Sequence, residues 1–194
     1  MKKETWYIIG AVAISVATLG IIAYSNRKKI VELNSEVMDF VENKVWDAVS
    51  EAKILTLHPK IRDKAREFLV KAEKAGYKLR ITSGFRTYAE QNALYAKGRT
   101  TDDSIVTNAR DSQANHNFGT AFDVVPIVNG KADWNSKDWN KIGEIGESVG
   151  FAWGGRWKGL VDKPHFEMQF GLTLTQLRKK YESGDKQGEY VNIV

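Results

Sequence analysis

An α+β domain with helices around a small, mostly antiparallel sheet, set behind an apolar N-terminal segment, is the architecture these 194 residues predict. Three observations predict it. Helical and strand-like patterns alternate between residues 59 and 181 in the order helix, strand, helix, strands, helix, strands, helix. The pair Asn129-Gly130 follows a β-rich run and marks a hairpin, hence antiparallel neighbours. Residues 6–24, WYIIGAVAISVATLGIIAY, carry no charge at all. The composition agrees, since 42% apolar and 11% aromatic residues exclude a wholly disordered chain. With no Cys there is no disulfide framework, no thiolate metal site and no cysteine nucleophile, so any metal is left to His, Asp and Glu. The histidines are His58, His116 and His165. Lys and Arg number 29 against 24 Asp and Glu, with six of each sign in residues 1–50, so the excess lies beyond residue 50. It is too diffuse for a nucleic-acid partner, because no basic stripe interleaved with stacking aromatics accompanies it.

Residues 1–29 read as a single-pass membrane anchor. The uncharged run just spans a hydrocarbon core of about 30 Å at about 1.5 Å per residue, with Trp6, Tyr7 and Tyr24 at its ends and Lys2, Lys3, Arg27, Lys28 and Lys29 outside it. The alternative is a secretory signal cut near Ala23-Tyr24-Ser25, although the apolar core of such signals runs only about 7–15 residues. Basic residues flank both ends, so charge does not set the topology. The small residues from Gly10 to Gly20 would support self-association through the anchor. Residues 30–54 continue as an amphipathic helical stalk, with Ile30, Leu33, Val37, Val41, Val45 and Ala48 recurring at three and four. That stripe packs either on the following domain or on a second copy of itself. Thr56-Leu57-His58-Pro59 breaks the helix and marks a boundary.

The domain that follows occupies residues 55–182. Pro59 to Ala75 is a helix with Ile61, Ala65, Phe68, Leu69 and Ala72 on one face, stopped by Gly76. Lys78 to Ser83 alternates Leu79 and Ile81 with polar neighbours and reads as a half-buried strand. Thr87-Tyr88-Ala89-Glu90 is a capping box opening a helix that ends near Gly98. Residues 99–115 are polar and without pattern, which predicts a long loop, and long loops in small domains are often functional. A strand over Thr120 to Val128, a helix over Trp139 to Val149, short strands near Phe151 to Trp153 and His165 to Gln169, and a capped helix over Thr173 to Tyr181 complete it. Residues 183–194 form a polar, weakly β-like tail with no assigned function.

Two of the three histidines lie beside carboxylates in a pattern that suits a catalytic metal. In His116-Asn-Phe-Gly119-Thr-Ala121-Phe-Asp123, a His ends a loop, Gly119 lets the chain turn, and a strand can aim Asp123 back at the same point. In Asp162-Lys163-Pro164-His165-Phe166, Pro164 keeps the preceding residue extended and separates Asp162 from His165 by a fixed step. His116, Asp123 and His165 as ligands leave a fourth tetrahedral position open for water, the mark of a catalytic zinc site. Asp162 is then free to act as general base on that water. Taken singly, each of these residues also has a structural reading, as a packed His or a surface Asp. His58 has no carboxylate partner of this kind and reads as a loop residue.

Together, SGFRT (83–87) with Gln91, HNFGTAFD (116–123) and WGGRWKGLVDKPHFEM (153–168) resemble peptidase family M15, the zinc D-Ala-D-Ala carboxypeptidases and L-Ala-D-Glu endopeptidases of peptidoglycan. The resemblance covers residues 55–172 and implies the zinc DD-peptidase or Hedgehog-like fold. It departs from the family at Ala114, where the pattern carries Ser. By resemblance, Arg86 polarises the substrate carbonyl and stabilises the oxyanion, Gln91 binds substrate, and Trp153 and Trp157 either wall the cleft or fill the core. Asp162 stands where the carboxypeptidases usually show Glu, which favours an endopeptidase like those of phage endolysins and bacterial wall hydrolases. The expected protein is a membrane-anchored zinc peptidase facing the cell wall, acting in wall remodelling or in phage lysis or entry. The alternatives are a D,D-carboxypeptidase of the same fold, or a non-catalytic wall-binding component of a virion membrane.

Overall fold

The computed structural model describes residues 48–193, which lie within one compact unit. The expected anchor, and the stalk up to residue 47, fall outside the described residues. Among the described residues no helix is long and apolar enough to cross a membrane.

Residues 48–55 are helical and lead into α1, Pro59–Lys74. Pro59 sits in the first turn, where its missing N–H costs nothing, and the His58 ring accepts a hydrogen bond from Lys60 N at 3.2 Å to cap the helix. Ile61, Ala65, Phe68 and Ala72 form its buried stripe. Strand β1, Leu79–Ser83, is followed by α2, Tyr88–Ala96, whose capping box is complete: Thr87 Oγ1 accepts from Glu90 N, and Glu90 accepts from Thr87 N at 2.8 Å. A 3-10 turn, Asn115–Phe118, delivers the chain into β2, Ala121–Val128. Asn129 and Gly130 both have positive φ, 51° and 74°, as a type I′ turn requires, and β3, Lys131–Ala132, pairs back on β2. Helix α3, Trp139–Ser148, β4, Ala152–Trp153, a second 3-10 turn, Gly154–Arg156, β5, His165–Glu167, and α4, Leu174–Glu182, follow.

The sheet runs β1-β2-β5-β4, with β3 on β2, and every pairing is antiparallel. The expected α+β class and the order of elements therefore hold. Because strand side chains alternate, the sheet has two unlike faces. Phe122, Val124 and Phe166 join the main core with Ile81, Phe68, Ile142, Phe151 and Trp153, where Phe68 packs on Phe166 with ring centroids 4.7 Å apart. Asp123 and His165 occupy the other face.

The domain is longer than its sequence boundaries at both ends. Ile54 and Leu57 are fully buried in the core, Ser50 Oγ accepts from Ile81 N, and Glu51 pairs with Arg66. The described end of the stalk, residues 48–54, packs on the domain through Ser50 and Ile54, whereas Ala48, the one described member of its expected stripe, is exposed. The tail forms a hairpin of β6, Lys186–Gln187, and β7, Tyr190–Val191, and a second small core joins Val191 and Ile193 to Phe118 and Leu177. His58 is the pin between these ends: it is buried, and its Nε2 donates to the Val191 carbonyl at 3.0 Å.

Helix α3 lies close on the sheet because Gly146 faces the Phe166 ring. Gly146→Ala favours helix by about 1 kcal/mol in propensity, but the added methyl would meet Phe166 Cε1 at 2.3 Å. Overpacking costs about 1–3 kcal/mol. The variant is expected to unfold at lower urea concentration than the parent, and a raised midpoint would show that the ring yields.

Candidate metal centre

The site is assembled by strand register. Asp123 on β2 lies directly opposite His165 on β5, so their side chains share the face away from the core. A register shift between Ile81 and Ser83 brings Ser83 opposite Asp123 at the end of β1. His116 arrives from the 3-10 turn, which ends at Gly119 in the left-handed region with φ 69°. A side chain there would strike the backbone of His58, whose N–H donates to the Gly119 carbonyl at 2.9 Å. The His116 Nδ1–H donates to the Gly84 carbonyl at 2.8 Å, leaving Nε2 to face the other two residues.

His116 Nε2 lies 3.3 Å from both Asp123 Oδ1 and His165 Nδ1, and His165 Nδ1 lies 3.2 Å from Asp123 Oδ1. A regular tetrahedron with bonds of about 2.0 Å has edges of about 3.3 Å, so this triangle matches one face of a zinc-sized tetrahedron. The donor set, two imidazoles and a carboxylate, is one that could hold a metal ion. Both histidines are buried, and Asp123 keeps 22% of its side chain exposed on the open side.

The charges are strongly coupled. Burial alone would raise Asp123, but His116 and His165 outweigh it and hold its carboxyl well below the usual carboxylate range. Burial alone would lower His165, yet its hydrogen bonds to Asp123 and Glu167 push it up to about 9. Asp162 moves the other way, raised by burial and by repulsion from Asp123.

A cleft of about 570 Å³ opens over this cluster, and Arg86, Asp162 and Trp157 line it. The expected constellation is therefore gathered in one place. Arg86 is held as a fork, with Nη1 donating to Gln91 Oε1 at 2.9 Å and Nη2 to Ser83 Oγ at 3.0 Å, and it lies 3.8 Å from Asp123. Among the described residues, no hydrogen bond ties the Asp162 carboxylate. The 99–115 segment is a loop, as expected, and Val106, Thr107, Asn108 and Ala109 form one cleft wall.

The residues expected to bind substrate divide. Trp157 stands at the cleft with its ring centroid 4.9 Å from that of His165. Trp153 is buried in the core, where its indole donates to the Lys163 carbonyl at 2.7 Å and braces the turn that carries Asp162. Gln91 is fully buried behind Arg86, its amide nitrogen bound to the Ala109 carbonyl at 2.7 Å, so it faces Arg86 and the loop and not the cleft. Sequence reasoning missed Glu167 and Asn115. Glu167 receives His165 Nε2 at 2.9 Å and Asn115 Nδ2 at 2.6 Å. The available signal is its position two residues beyond His165 on one strand, hence on the same face.

The pH dependence of stability follows. With a chelator present, raised His165 stabilises the fold fully below about pH 6.5, its unfolded value, and that contribution disappears as pH rises through about 9. Depressed Asp123 contributes above about pH 4 and loses its effect in acid. Chelated protein is expected to show a falling Tm between about pH 6.5 and 9, and Asp123→Asn should flatten that alkaline arm. A parent Tm constant through pH 9 would show that the pair is not formed.

Residues 107–168 match the family model described as D-alanyl-D-alanine carboxypeptidase, within peptidase family M15. The peptidoglycan L-alanyl-D-glutamate endopeptidase CwlK of Bacillus subtilis (strain 168) is 38% identical over 122 residues, covering 58% of this chain and 73% of that protein. The L-alanyl-D-glutamate peptidase of Listeria phage A118 is 28% identical over 124 residues, 62% of this chain and 41% of its own length. Among solved structures, the L-Ala D-Glu endopeptidase ChiX of Serratia marcescens aligns with a TM-score of 0.50 at 24% identity, over 63% of this chain and 88% of that one, a likeness of fold. The match to CwlK spans most of that relative's length, so the chain belongs to peptidase family M15 and is a peptidase.

Proposed function

We propose that the chain is a zinc-dependent peptidoglycan endopeptidase that cuts the L-Ala–D-Glu bond of the stem peptide. The observation that carries this reading is the triangle of His116, Asp123 and His165 with Asp162 beside it in one cleft. Relatives named for the L-alanyl-D-glutamate bond support the choice of substrate. His116 Nε2, Asp123 Oδ1 and His165 Nδ1 would hold the ion, and zinc so bound supplies a Lewis acid at which water ionises near neutral pH. Asp162 takes the proton from the attacking water and passes it to the departing amine; its raised pKa suits the second half of that task. Arg86, fixed by Gln91 and Ser83, turns a guanidinium toward the carbonyl oxygen as its negative charge grows. Trp157 and the 99–115 loop flank the stem peptide and exclude water from one side. The uncharged run at 6–24 would tether the domain on the wall side of a membrane, cellular or virion, and would place the full chain in the membrane fraction.

Mass analysis of muropeptides released from purified walls tests the reading, with new N-terminal D-Glu expected; release of terminal D-Ala would instead favour the carboxypeptidase activity for which the matching family model is described. Asp162→Asn keeps the shape of the side chain and removes its basicity. It is expected to retain zinc and lose about 10²–10⁴ in rate. Zinc lost together with the rate would make Asp162 a ligand.

A further inference from the structure

Glu167 is a buried acid that the proposed mechanism does not use. It lies two residues beyond His165 on β5, opposite Ala121 on β2 and Ala152 on β4. Two methyl side chains across the neighbouring strands leave its carboxylate room to lean along its own strand toward His165. There it is fully engaged. Oε2 lies 2.9 Å from His165 Nε2 and accepts from Asn115 Nδ2 at 2.6 Å, while Oε1 accepts from Gln169 Nε2 at 3.0 Å. An ionised carboxylate only accepts, so His165 Nε2 carries a hydrogen. The other ring nitrogen, Nδ1, is the one 3.2 Å from Asp123 and 3.3 Å from His116. Asn115 supports the same arrangement, for its amide spends its nitrogen on Glu167, and its Oδ1 has no hydrogen-bond partner among the described residues.

The two histidines are thereby locked in opposite senses. His116 is held through Nδ1 by a backbone carbonyl, which presents Nε2. His165 is held through Nε2, which presents Nδ1. We propose that Glu167 is a positioning residue: its carboxylate, fixed by Asn115, holds the Nε2–H of His165 so that Nδ1 is the atom turned to the ion. This rests on the zinc reading proposed above. It also gives a physical role to the step of two between His165 and Glu167, since a residue one place earlier or later would face the core. A carboxylate behind a ligating imidazole fixes ring orientation and tautomer and strengthens the ligand, and removing such a group typically weakens metal binding about 10–100-fold.

The test is zinc affinity of the full chain, measured by competition with a chelating dye. Glu167→Ala is expected to bind zinc about 10–100-fold more weakly than the parent, and Glu167→Gln, which keeps an oxygen for Nε2–H, to recover most of that loss. A role confined to packing would lower the thermal stability of both variants and leave zinc affinity unchanged, and that result would overturn the proposal. Should Glu167→Ala fail to fold, the ring nitrogens of the zinc-loaded parent decide by ¹⁵N NMR. His165 is expected to show metal at Nδ1 and hydrogen at Nε2, and His116 the reverse; metal at Nε2 of His165 would overturn the proposal. If the parent binds no zinc, the metal reading fails and this falls with it, whereas a parent that binds and a Glu167→Ala that binds equally well fail the positioning role alone.

Discussion

The pairing of Asp123 with His165 across β2 and β5 is the constraint on which the rest of the site depends. In a sheet whose side chains alternate, a slip of one residue would send Asp123 and His165 into the core and bring Phe122, Val124 and Phe166 out onto the site face. The hydrophobic core therefore enforces the geometry of the polar cluster. Phe68, Phe122, Phe151 and Phe166 interlock behind the sheet, and bringing Phe122 and Phe166 out of that core would forfeit their burial, about 1.5–3 kcal/mol for each ring.

On the polar face, electrostatics imposes a second discipline. Three ionisable groups within hydrogen-bond distance of one another, largely out of water, are tolerable only because each is neutralised or bonded by a neighbour. Asp123 stands between two imidazoles and Glu167 closes the far side of His165. Arg86 is clamped by hydrogen bonds to neutral partners, Gln91 and Ser83, so its guanidinium loses its freedom to move while those bonds leave its charge intact. Asp162 feels the charge of Asp123, and its carboxylate has no hydrogen bond among the described residues to hold it in one protonation state.

Much of this arrangement is legible in the sequence. The Asn129-Gly130 turn and the capping boxes at Thr87 and Thr173 are local chemistry, and local chemistry reads directly from neighbouring residues. His116, Asp123, Asp162 and His165 are legible because each histidine has a carboxylate close by in sequence, and because the motifs that carry them resemble one family when read together. What does not read is whatever depends on distant segments. His58 resembles a loop residue because its carbonyl partner, Val191, lies at the other end of the domain. The C-terminal hairpin is hidden because two-residue strands leave no alternation to detect. Gln91 passes for a substrate ligand because nothing local reveals that the loop carbonyl of Ala109 closes over it. Trp153 and Trp157 are chemically alike and four residues apart, and only the intervening 3-10 turn sends one inward and the other to the cleft.

The two unlike faces of the sheet also divide the molecule by how readily it can change. The floor of the cleft is strand, and its polar residues alternate with aromatics of the core. The walls are the 99–115 segment and the stretch around Trp157 and Leu160; over residues 99–108 the former is tied down by side chains such as Arg99, whose guanidinium reaches the carbonyls of Tyr95 and Thr107, and it meets the sheet at its end, through Asn115 on Glu167. Surface loops tolerate insertions and replacements better than the elements they join, and here that tolerance belongs to the outer part of the wall, away from Ala109 and Asn115. Lineages can therefore explore new wall architectures, and with them new stem peptides, while inheriting one unaltered chemical floor.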